Sequence, residues 1–104
     1  MVTTNLQIGH LRIQGAGETR IYVIDVSSRA SGPATPVITK VVDLTTGTDV
    51  KATVMPTGSP TISGDNFTMP PMKLLTVGRT YRVHFTYIKS SETFESTIVV
   101  KCNF

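Results

Sequence analysis

The sequence has no tryptophan and one cysteine in 104 residues. A lone Cys102 excludes an internal disulfide and points to assembly in a reducing compartment. Without Trp and a Cys pair, the inter-sheet disulfide and aromatic partner of antibody-type domains are also excluded. Charged residues make up 16% of the chain, against about 25% in an ordinary soluble domain. Disorder driven by net charge is therefore excluded. No apolar run approaches the roughly 20 residues of a membrane-spanning helix. The segment "MVTTNLQIGH" (1–10) has no basic stretch leading into an apolar one, so no secretory signal is expected.

Motifs that carry chemistry are equally scarce. His10 and His84 are the only histidines, too few for a zinc site built on convergent His, Cys or carboxylate ligands. No G-x-S-x-G elbow marks a nucleophile, and the spacing of a calcium loop is missing. "GAGE" (15–18) lacks the downstream helix of a phosphate-binding loop. Of the carboxylates, most fall in or beside expected turns, where they bond nearby backbone. Asp25 is the exception and is expected to pair with a Lys or Arg. No enzyme activity, metal or cofactor is expected.

The ten Lys and Arg against seven Asp and Glu leave a net charge of +3. The basic residues are scattered and form no run, unlike those of a dedicated nucleic-acid binder. This mild basicity suits docking on an acidic protein surface. An exposed stripe of Arg12, Arg20, Arg79 and Arg82 would favour nucleic acid instead.

Thr, Ser, Gly and β-branched residues are abundant, and period-two alternation dominates. Strands are expected at 7–13, 19–26, 37–44, 50–55, around a tight turn in 61–69, at 79–88 and at 93–101. In "TRIYVIDV" (19–26), Tyr22, Ile24 and Val26 form the core face. In "VKATVM" (50–55), Val50, Ala52 and Val54 share one face. In "RTYRVHFTYI" (79–88), Tyr81, Val83, Phe85 and Tyr87 point inward, with Arg82, His84 and Thr86 outward and His84 half-exposed. "SSRASGPATP" (27–36) and "PTGSP" (56–60) read as loops, and "KSSE" (89–92) as a hairpin turn. Short strands with turns every 8–12 residues define a sandwich.

Leu75, Gly78, Tyr81, Val83 and Phe85 follow the order L-x-x-G-x-x-Y-x-V-x-F. This resembles the corner before strand F of immunoglobulin-like and fibronectin type III domains. There a leucine packs under the turn, a glycine takes a conformation other residues resist, and a tyrosine hydroxyl ties back to upstream backbone. The expectation is one domain over 1–104: an all-β, immunoglobulin-like (fibronectin III-like) antiparallel β-sandwich of about seven strands. Aromatics inside and Arg82 and His84 outside argue against base stacking on this strand, because nucleic-acid readers place both on one open face. Cys102 is expected to be a small buried hydrophobe.

The chain as a whole resembles small virion proteins of tailed bacteriophages. The resemblance rests on "GETRIYVIDV" (17–26), "TISGDNFTM" (61–69), "LTVGRTYRVHFTY" (75–87) and "SSETFE" (90–95). It implies a non-enzymatic capsid decoration or cement protein, assembled in the bacterial cytoplasm and carried on the capsid surface. The partners would be the major capsid protein or other virion proteins, with a possible homotrimer and no membrane. A neck or tail accessory role is the alternative implication, and a ligand-binding immunoglobulin-like module is another. No long arm would obviously lasso a neighbour, with "MVTTNL" and "CNF" the only candidates, and contacts are expected on exposed loops, termini and a sheet edge. The candidates are Arg29, Pro33 and Pro36 in 27–36, Pro56 and Pro60 in 54–61, and Phe104, for which a frayed end and an anchor on a neighbour are the two readings.

Overall fold

A computed structural model describes residues 6–7 and 11–104. The other residues, His10 among them, lie outside that description. Among the described residues the strands are β1 (Leu6–Gln7), β2 (Arg12–Gln14), β3 (Val23–Asp25), β4 (Ala34–Asp43), β5 (Thr48–Asp49), β6 (Thr61–Ser63), β7 (Asn66–Thr68), β8 (Thr80–Lys89) and β9 (Glu92–Cys102). One four-residue helix, α1, covers Lys51–Val54.

Two sheets form a sandwich. The larger runs β1–β9–β8–β4–β5, with β2 lying further along the edge of β9 that β1 also uses; the smaller runs β3–β7–β6. β1 and β2 pair with β9 in parallel, while every other ladder is antiparallel. The strand order is compatible with the expected immunoglobulin-like arrangement. The count exceeds the expected seven because the first strand is split and 61–69 forms two strands, while Thr48–Asp49 takes the place of the strand expected over 50–55.

The alternation in 79–88 is realised: Tyr81, Val83, Phe85 and Tyr87 are all buried. They meet Tyr22, Ile24, Val26 and Phe67 of the smaller sheet in one core. Phe67 bridges the sheets, its ring 4.6 Å from Phe85. Tyr87 stacks on Phe94 at 5.9 Å and shares a hydrogen bond with Ser96. Edge and offset aromatic contacts of this kind add about 0.5–1.5 kcal/mol beyond the area they bury. Cys102 is buried as expected.

Four expectations need correction. Residues 51–54 are helix, not strand. Val50 and Val54 share a face at a spacing of four as well as of two, so the pattern fits both periods. The Asp49 carboxylate accepts from the Lys51 N–H, a local turn that starts the helix. β4 begins at Ala34, inside the expected loop. It absorbs Thr35 and Pro36 through a register shift, and a second shift follows at Thr39. The strand expected over 19–26 is confined to Val23–Asp25, with one isolated bridge from Arg20 to Met72. His84 is buried, not half-exposed. β8 is the middle strand, and Lys40 and Thr97 stand directly opposite His84 on its two neighbours.

The hairpin turn closes at Ser90 and Ser91, both with positive φ (53° and 67°). Two successive positive φ values make the tight turn whose twist matches paired strands.

Candidate functional site

Of the loop expected over 27–36 only its last residue, Pro36, meets the segment 54–61. β4 contributes Pro36, Val37 and Ile38, and the segment after α1 contributes Met55, Gly58, Ser59 and Pro60; with Lys51 and Pro70 they line a groove of about 250 Å³. It lies between the β4 side of the larger sheet and β6, the outer strand of the smaller one. Prolines form its walls because each stands where the ladder is interrupted. Pro36 sits in a register shift of β4, and Pro60 and Pro70 flank the β6–β7 hairpin. Gly58 takes φ 84° to turn the chain here, and Pro70 and Pro71 lie within 4 Å of where its Cβ would be. Rigid walls lose little entropy on binding.

The remaining loop residues are distributed differently. Pro56 is exposed and outside the groove lining, while Pro33 is buried and belongs to the packing rather than to an accessible rim. Arg29 is half-buried and serves as a staple. Its Nη2 donates to the Glu95 carbonyl at 3.3 Å, and its guanidinium lies 5.7 Å over the Phe94 ring. The Phe104 ring is 66% exposed and rests on Gly15, where a Cβ would come within 2.7 Å of it. The Phe104 carbonyl accepts from the Ala16 N–H, so this residue is tied to its own domain while presenting its ring outward.

The corner is assembled as its spacing predicts. Leu75 is buried beneath the turn, Gly78 takes φ 88°, and the Thr76 N–H donates to the Tyr81 hydroxyl at 2.8 Å. Arg79 closes it with a 2.7 Å ion pair to buried Asp43. Burial pushes the Asp43 carboxyl up, but the Arg79 side chain and the Thr45 and Thr46 backbone together hold it below the usual range.

Three of the four arginines that would form a stripe have local partners, and Arg82 stands on β8 opposite Val42 and Val99. Arg12 lies 5.9 Å over Tyr22, Arg20 pairs with Glu18 at 3.7 Å, and Arg79 pairs with Asp43. Asp25 pairs with no cation among the described residues; it accepts from the Ser27 N–H, and the Ser27 side chain foremost, together with that N–H, holds its pKa down. On the outer face of β8, the His84 Nδ1 lies 3.8 Å from a Glu95 oxygen and makes no hydrogen bond. Burial foremost, and Lys40 next, push the His84 pKa below its usual value; Glu95 opposes this and Arg82 adds to it. Among the described residues, no three His, Cys, Asp or Glu side chains gather as metal ligands. No helix among them is long and apolar enough to cross a membrane.

Sequence reasoning missed two features. Gln14 is a fully buried hub: its Nε2 donates to the Met72 and Glu18 carbonyls, and its Oε1 accepts from the Tyr22 hydroxyl. A lone Gln in an alternating strand gives no warning of this. The second is the exposure of Leu74 and Val77 beside the corner. Here a signal existed: two successive leucines, 74 and 75, cannot both enter the core from one extended segment.

Comparison with family models, with curated proteins and with solved structures finds no match to this chain.

Proposed function

We propose that this chain is a non-enzymatic virion structural protein that decorates and cements a bacteriophage capsid by binding the major capsid protein. The observation that carries the reading is the convergence of residues 36–38 with Met55 and residues 58–60 on one proline-walled groove. A decoration protein needs a stiff body and pre-shaped contact surfaces, and this sandwich supplies both. Its carboxylates support that stiffness. Asp25, Asp43, Asp49, Asp65 and Glu18 each accept a hydrogen bond from local or cross-loop backbone, and fixed loops bind with a smaller ordering cost. The mild positive charge suits an acidic partner surface.

Sedimentation of a lysate from cells producing the intact system tests this. The chain should comigrate with DNA-filled heads and stay with them through a high-salt wash and removal of tails. A chain that remains at the top of the gradient as a small species overturns the proposal.

A further inference from the structure

The two ends of the sandwich differ in kind. At one end β4 and β9 finish, β8 starts and β2 finishes, as the pairs Asp43↔Tyr81, Thr80↔Lys101 and Gln14↔Cys102 place them. Hydrogen bonds from Leu44 to Thr80, Gly78 to Cys102 and Ala16 to Phe104 join the turns there. This end carries Leu44, Leu74, Val77 and Phe104, all exposed, Leu74 and Phe104 at 61% and 66%. The opposite end is built from turns at Ser27–Gly32, Gly64–Asp65 and Ser90–Ser91. Those turns hold no large exposed apolar side chain among the described residues.

Charge separates the ends too. At the apolar end the carboxylates are committed: Glu18 to Arg20 and the Gly15 N–H, Asp43 to Arg79 and the Thr45 N–H, and Asp49 to the Lys51 N–H. Lys73 and Lys101 make no ion pair among the described residues. Counted by side chain, Glu18, Asp43 and Asp49 stand against Arg20, Lys51, Lys73, Arg79 and Lys101, so the balance at this end is positive.

Leu74 is held outward at φ 60°, a left-handed conformation that is uncommon for a residue of its type. Such strain persists where surrounding structure imposes it, and it concentrates at functional positions. Here the surroundings are the Tyr81 tie to Thr76, the Arg79–Asp43 pair and the Lys73 N–H bonded to the Val54 carbonyl.

We infer that this end is a second docking surface, separate from the groove, and that its occupant is an acidic protein surface with an apolar hollow. Charge complementarity selects the occupant: apolar tips flanked by lysines without an ion pair need apolar contact bordered by carboxylates. A second copy meeting end to end would oppose like charges. A fluid bilayer gains little from a rigidly pre-set leucine, and the tips lack the Trp and Tyr that favour membrane interfaces. The inference rests on the docking function proposed above and gives the chain two faces, as bridging neighbouring subunits requires.

The experiment selects random 15-residue peptides by ribosome display on the immobilised chain. The winners are then measured against a Leu74→Asn/Val77→Ser variant, and both proteins against vesicles of 30% phosphatidylglycerol in phosphatidylcholine. Asn tolerates the left-handed backbone, and both sites are exposed, so the fold is expected to survive; a circular dichroism melt checks this. The expected winners combine Asp or Glu with Leu, Ile or Phe and lose at least about tenfold in affinity for the variant. Winners that are basic or uncharged, winners that bind the variant equally, or no enrichment overturn the inference. So does vesicle binding that the variant loses, which would assign the surface to lipid. Heads that retain the variant as well as the native chain would leave the docking function standing while this surface falls. Successful selection with a chain that never comigrates with heads would do the reverse.

Discussion

Replacing Gln14 by Leu should destabilise the domain by about 2–4 kcal/mol, although Leu has nearly the same volume and greater hydrophobicity. The magnitude follows from what is left behind. The Tyr22 hydroxyl loses the acceptor it reaches at 2.9 Å, and the Met72 carbonyl loses the donor at 2.7 Å; both bonds are buried. Each orphaned buried group costs about 1–3 kcal/mol, offset in part by the apolar replacement. The bond to the Glu18 carbonyl is only part-buried, so water can replace it. Against a total stability of about 5–15 kcal/mol the loss is large. The sharper expectation is a change of sign. Tyr22→Phe alone should cost about 1 kcal/mol, because it leaves the Gln14 oxygen without its donor. In the Gln14→Leu background the same change removes an orphan and should stabilise by a similar amount. Urea unfolding of the four proteins, with m-values compared, closes this double-mutant cycle. If Gln14→Leu costs under about 0.5 kcal/mol, or Tyr22→Phe costs the same in both backgrounds, Gln14 is not the buried hydrogen-bond hub described.

Removing the corner hydroxyl by Tyr81→Phe should cost about 1 kcal/mol in urea unfolding, since one hydrogen bond to the Thr76 N–H is lost; no change in midpoint would show the corner to be held by packing alone. Gly15→Ala should displace the Phe104 ring, because a Cβ there would meet it at 2.7 Å; the Ala16 amide should then exchange its hydrogen faster, and unchanged exchange would count against that contact. The depressed His84 pKa gives a pH dependence. The unfolded chain takes up a proton near pH 6.5 that the folded state resists, so stability should fall as pH drops below about 6.5. His84→Gln should remove that part of the slope between pH 7 and 5, and parallel wild-type and variant curves would refute the assignment.

The corner was legible because Leu75, Gly78 and Tyr81 stand at a spacing that one turn geometry explains. The faces of β8 were legible because period-two alternation maps directly onto a strand covered on one side. α1 was not, since Val50 and Val54 satisfy both the strand and the helix period. The start of β4 was hidden by Pro33 and Pro36, which read as loop residues while a register shift accommodated the second of them. Local alternation placed His84 correctly on the outer face, but its burial depends on β8 being the middle strand, a fact of topology rather than of local pattern. The groove is half legible: Pro36 and the segment 54–61 read as contact residues, but Val37, Ile38, Lys51 and Pro70 join them only through the folded path. The apolar end was invisible, because Leu44, Leu74, Val77 and Phe104 come from separate turns that strand order alone brings to one place.

The most direct test of the proposed cement function is made on capsids assembled without this chain. Purified protein is added back, and the temperature at which DNA-filled particles rupture is measured with the number of copies bound. Saturable binding at a fixed number of copies per capsid subunit, with rupture moved to higher temperature, is the predicted result. Particles that bind none of the chain, or that bind it and rupture at the same temperature, would contradict it.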